Sequence, residues 1–367
     1  MDFGLSEEQQ QLKESARAFL SGECPTTFVR KAMATEDGYP RELYDHIAKL
    51  GWSGLIVPEK FGGAGLGMLE MAMILEEGGY AAMPGPFLFS GVLAASALKL
   101  SGSELLKEKW LIPLAEGKAI GTVAVVESAG SIDTRDIKAI ATKSGAGWHL
   151  SGTKMFVPYA GVADFIVVAA KRDSDIFLFV VDAKAPGVTI RSLKNLDLTR
   201  RVSSVELTGA PAERLHGGTG LFAKLIDVAA VAVAADSLGG TERALEMAVD
   251  YSKVREQFGK PIGSFQALKH AAAEIVADLE PARALLWYAA YALDNNAPDA
   301  VRAASMAKAR LCDIYSRGTD RAVLMHGGIG FTWEHDMHLW FKRARFNESY
   351  FGSPAFHRER VAAIGEY

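Results

Sequence analysis

Arg255, Gln257 and Phe258 stand together in the stretch Val-Arg-Glu-Gln-Phe-Gly-Lys-Pro-Ile at 254–262, with Phe265 and Gln266 just beyond it. They put a fixed cation, an amide and an aromatic ring where a helical run stops at a Gly-Lys-Pro break. An arginine fork grips a pyrophosphate through paired N–H donors, and an aromatic ring covers a flat heterocycle. The combination suits a phosphate-bearing, aromatic cofactor; a charged helix end with a glycine stop is the plainer alternative. A second cluster, Met325-His326-Gly327-Gly328-Ile329-Gly330-Phe331, follows about seventy residues later and raises the first reading. His335 and Asp336 could be taken for an acid–base pair. Neighbours in sequence on a helix do not face one another, so they are expected to cap and charge a helix start, and Trp333 is expected to pack.

The elements that must position these groups fall into three zones, 1–118, 119–211 and 212–367. In the first, Ser6-Glu7-Glu8-Gln9 has the form of a capping box, followed by apolar residues at helical spacing. Pro40 opens a further helix with Leu43, Ile47 and Leu50 on one face, and Gly51 stops it. Residues 57–65, rich in glycine, form a structured loop that is either a ligand-cleft wall or a connector. Helical spacing resumes over 68–82 and 88–100.

In the middle zone the period changes to two. Short β-branched or aromatic runs at 120–126, 139–142, 147–150, 165–170, 176–181, 188–190 and 202–207 predict a compact antiparallel sandwich or barrel. No long helix intervenes and no Gly-x-Gly-x-x-Gly turn is present, which disfavours a doubly wound nucleotide fold. The third zone returns to helix: a long Ala/Val-rich run at 221–252, then 265–295, 298–325 with Pro298 at its first position, and 337–352. The fold class is α+β multidomain: a helical domain, an antiparallel β domain and a four-helix bundle.

With 367 residues, 49% hydrophobic and 23% charged, the chain has the composition of an ordinary globular protein. A net charge of −4 gives no basic footprint for nucleic acid or anionic lipid. Cys24 and Cys312 make no disulfide framework and no metal-spaced cluster, and read as free thiols in a reducing compartment. The start shows no export signal, and no apolar run approaches the ~18 residues of a membrane span. A cytoplasmic protein without a metal is expected.

Five stretches in order make the chain resemble the acyl-CoA dehydrogenase family over nearly its whole length. They are Val57-Pro58-Glu59-Lys60-Phe61-Gly62-Gly63, Val126-Glu127-Ser128-Ala129-Gly130-Ser131, Leu150-Ser151-Gly152-Thr153-Lys154, residues 255–262 and residues 327–331. The resemblance implies FAD-dependent α,β-dehydrogenation of an acyl-CoA thioester to a trans-2-enoyl-CoA, with an electron-transfer flavoprotein as acceptor. That chemistry needs a hydrogen-bonded thioester carbonyl, a carboxylate to take the α-proton and a flavin to take hydride from the β-carbon. It further implies that Arg255, Gln257 and Phe258 serve the FAD of a neighbouring subunit in a dimer or tetramer. Gly327 and Gly328 would admit its adenosine half. Val125, Ser131, Phe156, Gly352 and Ser353 are implied as further cofactor contacts.

The family pattern also breaks at several places. Its Tyr-Glu-Gly-Thr motif reads Tyr350-Phe351-Gly352-Ser353 here, and phenylalanine cannot take a proton. The alternative base position, set by counting back from Arg243, falls on Ala229, with Ala230 next. Val126 and Pro158 stand where flavin-facing threonines are frequent, Phe156 where tryptophan is, and Leu324 where glutamine is. Asp236, a lone carboxylate two turns beyond Ala229 on one helical face, is a conceivable substitute base, because burial would raise its pKa. It could equally pair with an arginine or cap the backbone; Glu348 and Asp227 are further carboxylates. Two functions compete: an active dehydrogenase with a displaced base, and a degenerate subunit of a heteromeric dehydrogenase that lends FAD contacts to its partner.

Overall fold

The computed structural model describes residues 4–100, 103–145 and 147–365, and the chain gathers into two compact units. One comprises Lys31–Gly67 and Pro84–Ala229; the other comprises the chain through Arg30, Met68–Met83 and everything from Ala230 onward.

The first unit is organised by seven strands: β1 (Gly121–Ala124), β2 (Ile140–Ser144), β3 (Gly147–Pro158), β4 (Phe165–Arg172), β5 (Asp175–Asp182), β6 (Val188–Leu193) and β7 (Val202–Arg214). Pairing runs β4-β2-β3-β7-β5 and returns from β5 to β4, which closes a barrel, while β1 adds to β4 and β6 to β7. Leu150, Ile166, Val168, Phe179, Val181, Val205 and Leu207 fill its interior. Two of the pairings, β1 with β4 and the single bridge Ile140–Lys171, are parallel, so the expected all-antiparallel sheet is corrected to a mixed one. The β2–β3 hairpin between β1 and β4 supplies the long crossover that a parallel pair requires. Side-chain alternation fixes which face is buried and says nothing of direction.

The same unit holds the helices Arg41–Lys49 and Glu104–Ala115 and a π-helical turn, Leu88–Ala94, that runs into Ala95–Leu100. Gly51 ends the helix Arg41–Lys49 as expected, at φ +78°. Leu43 and Ile47 are buried there, whereas Leu50, at the cap, is exposed. The glycine-rich loop is tied down by Ala64 N to Gly54 O at 3.0 Å and Gly65 N to Val57 O at 2.8 Å. A methyl group on Gly63 would overlap the Val57 carbonyl, which is why glycine stands there.

The second unit is helical. Its elements are Glu7–Glu23, Met68–Tyr80, the larger part of Gly218–Val254, Gln266–Asp294, Ala300–His326, Met337–Ser349 and Pro354–Ile364. The Ser6–Gln9 capping box is formed in both directions. The helix Gly218–Val254 meets Met68–Tyr80 at a glycine contact made twice over. A methyl on Gly239 would overlap the Glu76 carbonyl, and one on Gly79 would overlap that of Asp236. Two expectations change here. Pro298 lies in the turn before its helix, which begins at Ala300 behind Asp299. The final helix Pro354–Ile364 was not foreseen, although Ser353 caps it and Pro354 opens it.

Candidate cofactor site

Beyond Val254 the chain makes one more helical bond, Arg255 N to Tyr251 O at 2.8 Å, then turns back on itself. Gln257 pairs with Lys260 and Glu256 with Pro261, leaving Phe258 and Gly259 as the two turn residues. Both have positive φ, +55° and +74°, as a type I′ hairpin turn demands. Glycine tolerates this without strain; phenylalanine does not. The strained turn holds Phe258 at 92% exposure, its ring meeting that of Phe265 edge-on at 6.0 Å. Folding alone gives no reason to keep an aromatic residue in that place.

The hairpin forms one wall of a groove of about 760 Å³, whose other wall is the Leu324–Ile329 end of the helix Ala300–His326. Arg255, Gln257 and Phe258 are thus brought to Gly327 and Gly328. Gly327 has φ +65°, and the space above both glycines is open. The Arg255 guanidinium makes no ion pair among the described residues, and Gln257 Nε2 bonds only its neighbour's carbonyl, at 2.8 Å. The groove therefore offers a free fork, a free ring and bare backbone. Leu324 adds an exposed apolar side chain.

His326 spaces the two walls. Its ring stacks on Tyr251 at 4.8 Å and lies 4.4 Å from His335, and Nδ1 is 2.7 Å from Ala322 O. Burial holds the pKa of both histidines below the usual value, for His335 with help from His326. Asp336 bonds Arg30 at 2.6 Å, and His335 Nδ1 accepts from Met337 N, so each of the two adjacent residues has a separate partner. Trp333 packs under Lys342 and against His338 with much of its ring in solvent.

In the β unit, Val125 is buried and its carbonyl accepts from Lys154 Nζ at 3.1 Å. Burial pushes the Lys154 amine down to about 8, opposed by its 2.7 Å ion pair with Glu127. Glu127 also takes the backbone N–H of Lys138 and Ala139, both at 2.9 Å. Two of the recognised motifs are thereby explained as one buried link, a pairing that the sequence did not reveal. Ser131 Oγ accepts from Asp133 N at 3.0 Å. Phe156 sits in a β-bulge between the Lys154–Val205 and Val157–Ser203 pairs, at φ +54° and half exposed. Val126 and Pro158 carry no side-chain donor, and the Thr122 hydroxyl is spent on Pro158 O. The unit presents the half-exposed Phe156 ring and no hydroxyl at either expected position.

The base positions are equally bare. Phe351 is buried at φ +55°, its carbonyl held by His357 Nε2 at 3.0 Å. Gly352, at φ +98°, has no room for a side chain, and Ser353 caps the last helix through Phe356 N. These two residues serve the turn. Ala229 is buried. Asp236 is not an open carboxylate: it is buried, 3.2 Å from Arg343 Nη1 and 2.7 Å from Asn347 Nδ2. Of the two readings of Asp236, the geometry is that of the arginine pair. Glu348 is engaged by Ser316 and Arg345, and Asp227 is buried.

Sequence reasoning passed over a second charged cluster in the helical unit. Glu76 bonds Lys13 and Arg283, Glu77 bonds Arg17, and Glu242 bonds both arginines, at 3.1 and 3.0 Å. Burial raises the Glu77 pKa despite Arg17. Among the described residues no group of His, Cys, Asp and Glu could hold a metal ion, and no helix is long and apolar enough to cross a membrane.

Three family models match the chain: the acyl-CoA dehydrogenase N-terminal domain over 6–118, the middle domain over 122–208 and the C-terminal domain over 216–365. The chain is 33% identical to acyl-CoA dehydrogenase IpdE2 of Mycolicibacterium smegmatis over 98% of its own length and 99% of that protein's. It is 32% identical to acyl-CoA dehydrogenase FadE27 of Mycobacterium tuberculosis, covering 98% of each. Among solved structures it is similar to a chain of the ChsE4-ChsE5 complex from Mycobacterium tuberculosis, with a TM-score of 0.93, 31% identity and full coverage of both chains.

Proposed function

Because the chain belongs to the acyl-CoA dehydrogenase family of FAD-dependent oxidoreductases, we propose that it works as one subunit of a heteromeric acyl-CoA dehydrogenase. In that assembly it lends the groove of Arg255, Gln257, Phe258, Gly327 and Gly328 to an FAD whose catalytic carboxylate comes from the partner chain. The observation that carries the proposal is the strained, solvent-exposed Phe258 beside an unpaired Arg255. That arrangement carries backbone strain with little packing in return, and suits a bound pyrophosphate and an aromatic ring. Phe351, Ala229 and the engaged Asp236 support the second half of the proposal, and the likeness to a chain of the ChsE4-ChsE5 complex supports a second polypeptide.

The groove residues fit the phosphate and adenosine portions of FAD: a fork for two phosphate oxygens, bare backbone at two glycines and one exposed ring. FAD, when bound, supplies the hydride acceptor. This chain's part is to fix the charged end of the cofactor and exclude water over it, and the half-exposed Phe156 offers a ring on the β unit. Asp236, paired with Arg343, has a structural part. An acyl-CoA thioester is the proposed substrate of the assembly and an electron-transfer flavoprotein its proposed acceptor.

Purified alone, the chain should be nearly colourless, and it should take up FAD only when co-expressed with a second acyl-CoA dehydrogenase chain. Arg255→Ala in that complex should weaken FAD retention by about ten- to a hundredfold, the weight of a charged hydrogen bond, with assembly intact by size-exclusion chromatography. Stoichiometric FAD on the lone chain that bleaches with an acyl-CoA would overturn the proposal. Phe258→Asn separates strain from binding. Asparagine suits the first position of a type I′ turn, so thermal stability of the lone chain should hold or rise while FAD retention by the complex falls. A drop in stability would show that the ring is needed for folding.

A further inference from the structure

We propose that Lys308 and Cys312 form an oxidisable pair that closes to a covalent nitrogen–oxygen–sulfur link when a peroxide enters the helical unit. The two residues lie one turn apart on the inner face of the helix Ala300–His326, and both are completely buried. The Lys308 amine donates to the Cys312 sulfur at 3.2 Å and to Asn347 O at 2.6 Å. Among the described residues no carboxylate pairs with this amine; the nearby Asp236 is committed to Arg343 and Asn347. A buried amine is ordinarily held by a carboxylate, and here a sulfur atom fills that place. The Ser237 hydroxyl and the Asn347 carbonyl each lie 3.5 Å from the same sulfur. His357, which faces Lys308 from the last helix, is kept uncharged by burial, its pKa pushed down to about 4. Cys24 provides an internal contrast: it is equally buried, its thiol pushed up to about 12 by burial, and among the described residues no amine bonds it.

The chemistry balances with two peroxide molecules. The first transfers one oxygen to the sulfur, giving a sulfenic acid and a water. The second removes one hydrogen from the sulfenic O–H and one from the amine, leaving the S–O–N link and two further waters. Four electrons leave the pair, two to each peroxide, and one oxygen atom stays. Peroxide is close to water in size, and the proposed route is a local opening of the short helix Pro354–Ile364, whose His357 lies beside Lys308. Closure withdraws the Lys308 hydrogen bond from Asn347, the residue whose amide holds Asp236 and Ser237, and so reports oxidant to the polar centre of the unit.

The test is graded hydrogen peroxide on the purified full chain, followed by peptide mapping by mass. The expected product is a segment that has gained one oxygen and lost two hydrogens, resists trypsin after Lys308, and reverts with a thiol reductant. Lys308→Arg should leave only sulfenic or sulfinic acid at Cys312. Wild-type protein that gives those acids with cleavage at Lys308 intact overturns the proposal. An unmodified segment, under conditions that oxidise the methionines, overturns it as well. Both readouts are made on the unaltered chain, so neither depends on a variant folding.

Discussion

Arg343→Met is expected to destabilise the helical unit by about 3–5 kcal/mol, a large share of the ~5–15 kcal/mol that holds an ordinary protein folded. The Arg343 side chain is fully shielded, and besides Asp236 it holds the Ala82 and Met83 carbonyls, at 3.3 and 3.2 Å. Methionine would fill the space and remove the guanidinium beside the buried Asp236 carboxylate. The cost of burying an unpaired carboxylate exceeds the gain of an apolar contact. The double variant Asp236→Leu/Arg343→Met should regain most of the loss, since no charge is then stranded. Urea denaturation measures both; an Arg343→Met chain within about 1 kcal/mol of the parent would show the pair to be unimportant. Asp236→Asn in an assembled, FAD-loaded complex also bears on chemistry. Flavin bleaching by acyl-CoA that persists at the parent rate fits a structural Asp236, and bleaching lost with FAD retained would make it the base.

Gly239→Ala is the second large effect expected. One methyl group there overlaps the Glu76 carbonyl, which belongs to the backbone of the opposing helix and cannot rotate away. The two helices must separate, at a cost at or above the ~1–3 kcal/mol usual for overpacking. The same crossing carries Asp236 on one helix and Glu76 on the other, so separation also strains the Arg343 and Arg283 pairs. Gly79→Ala should behave alike because its contact is the mirror of the first. Gly22→Ala, on the exposed face of the first helix with open space around it, should be neutral or slightly stabilising. Thermal melts of the three variants decide the matter, and equal melting temperatures would refute the close crossing.

Much of the fold was legible because its signals are local. The capping box at Ser6 and Gln9, the stop at Gly51 and the period-two runs of the barrel each depend on a few adjacent residues, and each appears where expected. Strand direction was not legible. The parallel pairing of Gly121–Ala124 with Phe165–Arg172 depends on what the intervening hairpin does. The last helix has its start signal in Ser353 and Pro354, but Ser353 also falls within the family motif, where the resemblance implies a cofactor contact.

The site divided in the same way. The motifs marked the Arg255 and Gly327 segments, which the fold brings to one groove, whereas the partners of Asp236 lie more than a hundred residues further along, at Arg343 and Asn347. Nothing in the sequence marks which arginine a lone aspartate will meet. Positive φ at Phe156, Phe258 and Phe351 was also invisible, since phenylalanine is a residue that usually avoids it.

Val254, Phe258, Leu324 and Phe331 all stand mostly in water on the segments that form or adjoin the groove. A chain in this condition carries the surface by which chaperones and proteases recognise an unassembled subunit. In the heteromer proposed above, its cellular level would be set less by its own synthesis than by the supply of the partner that covers that rim. Overproduced alone, the chain should then be cleared or aggregate in excess of that partner.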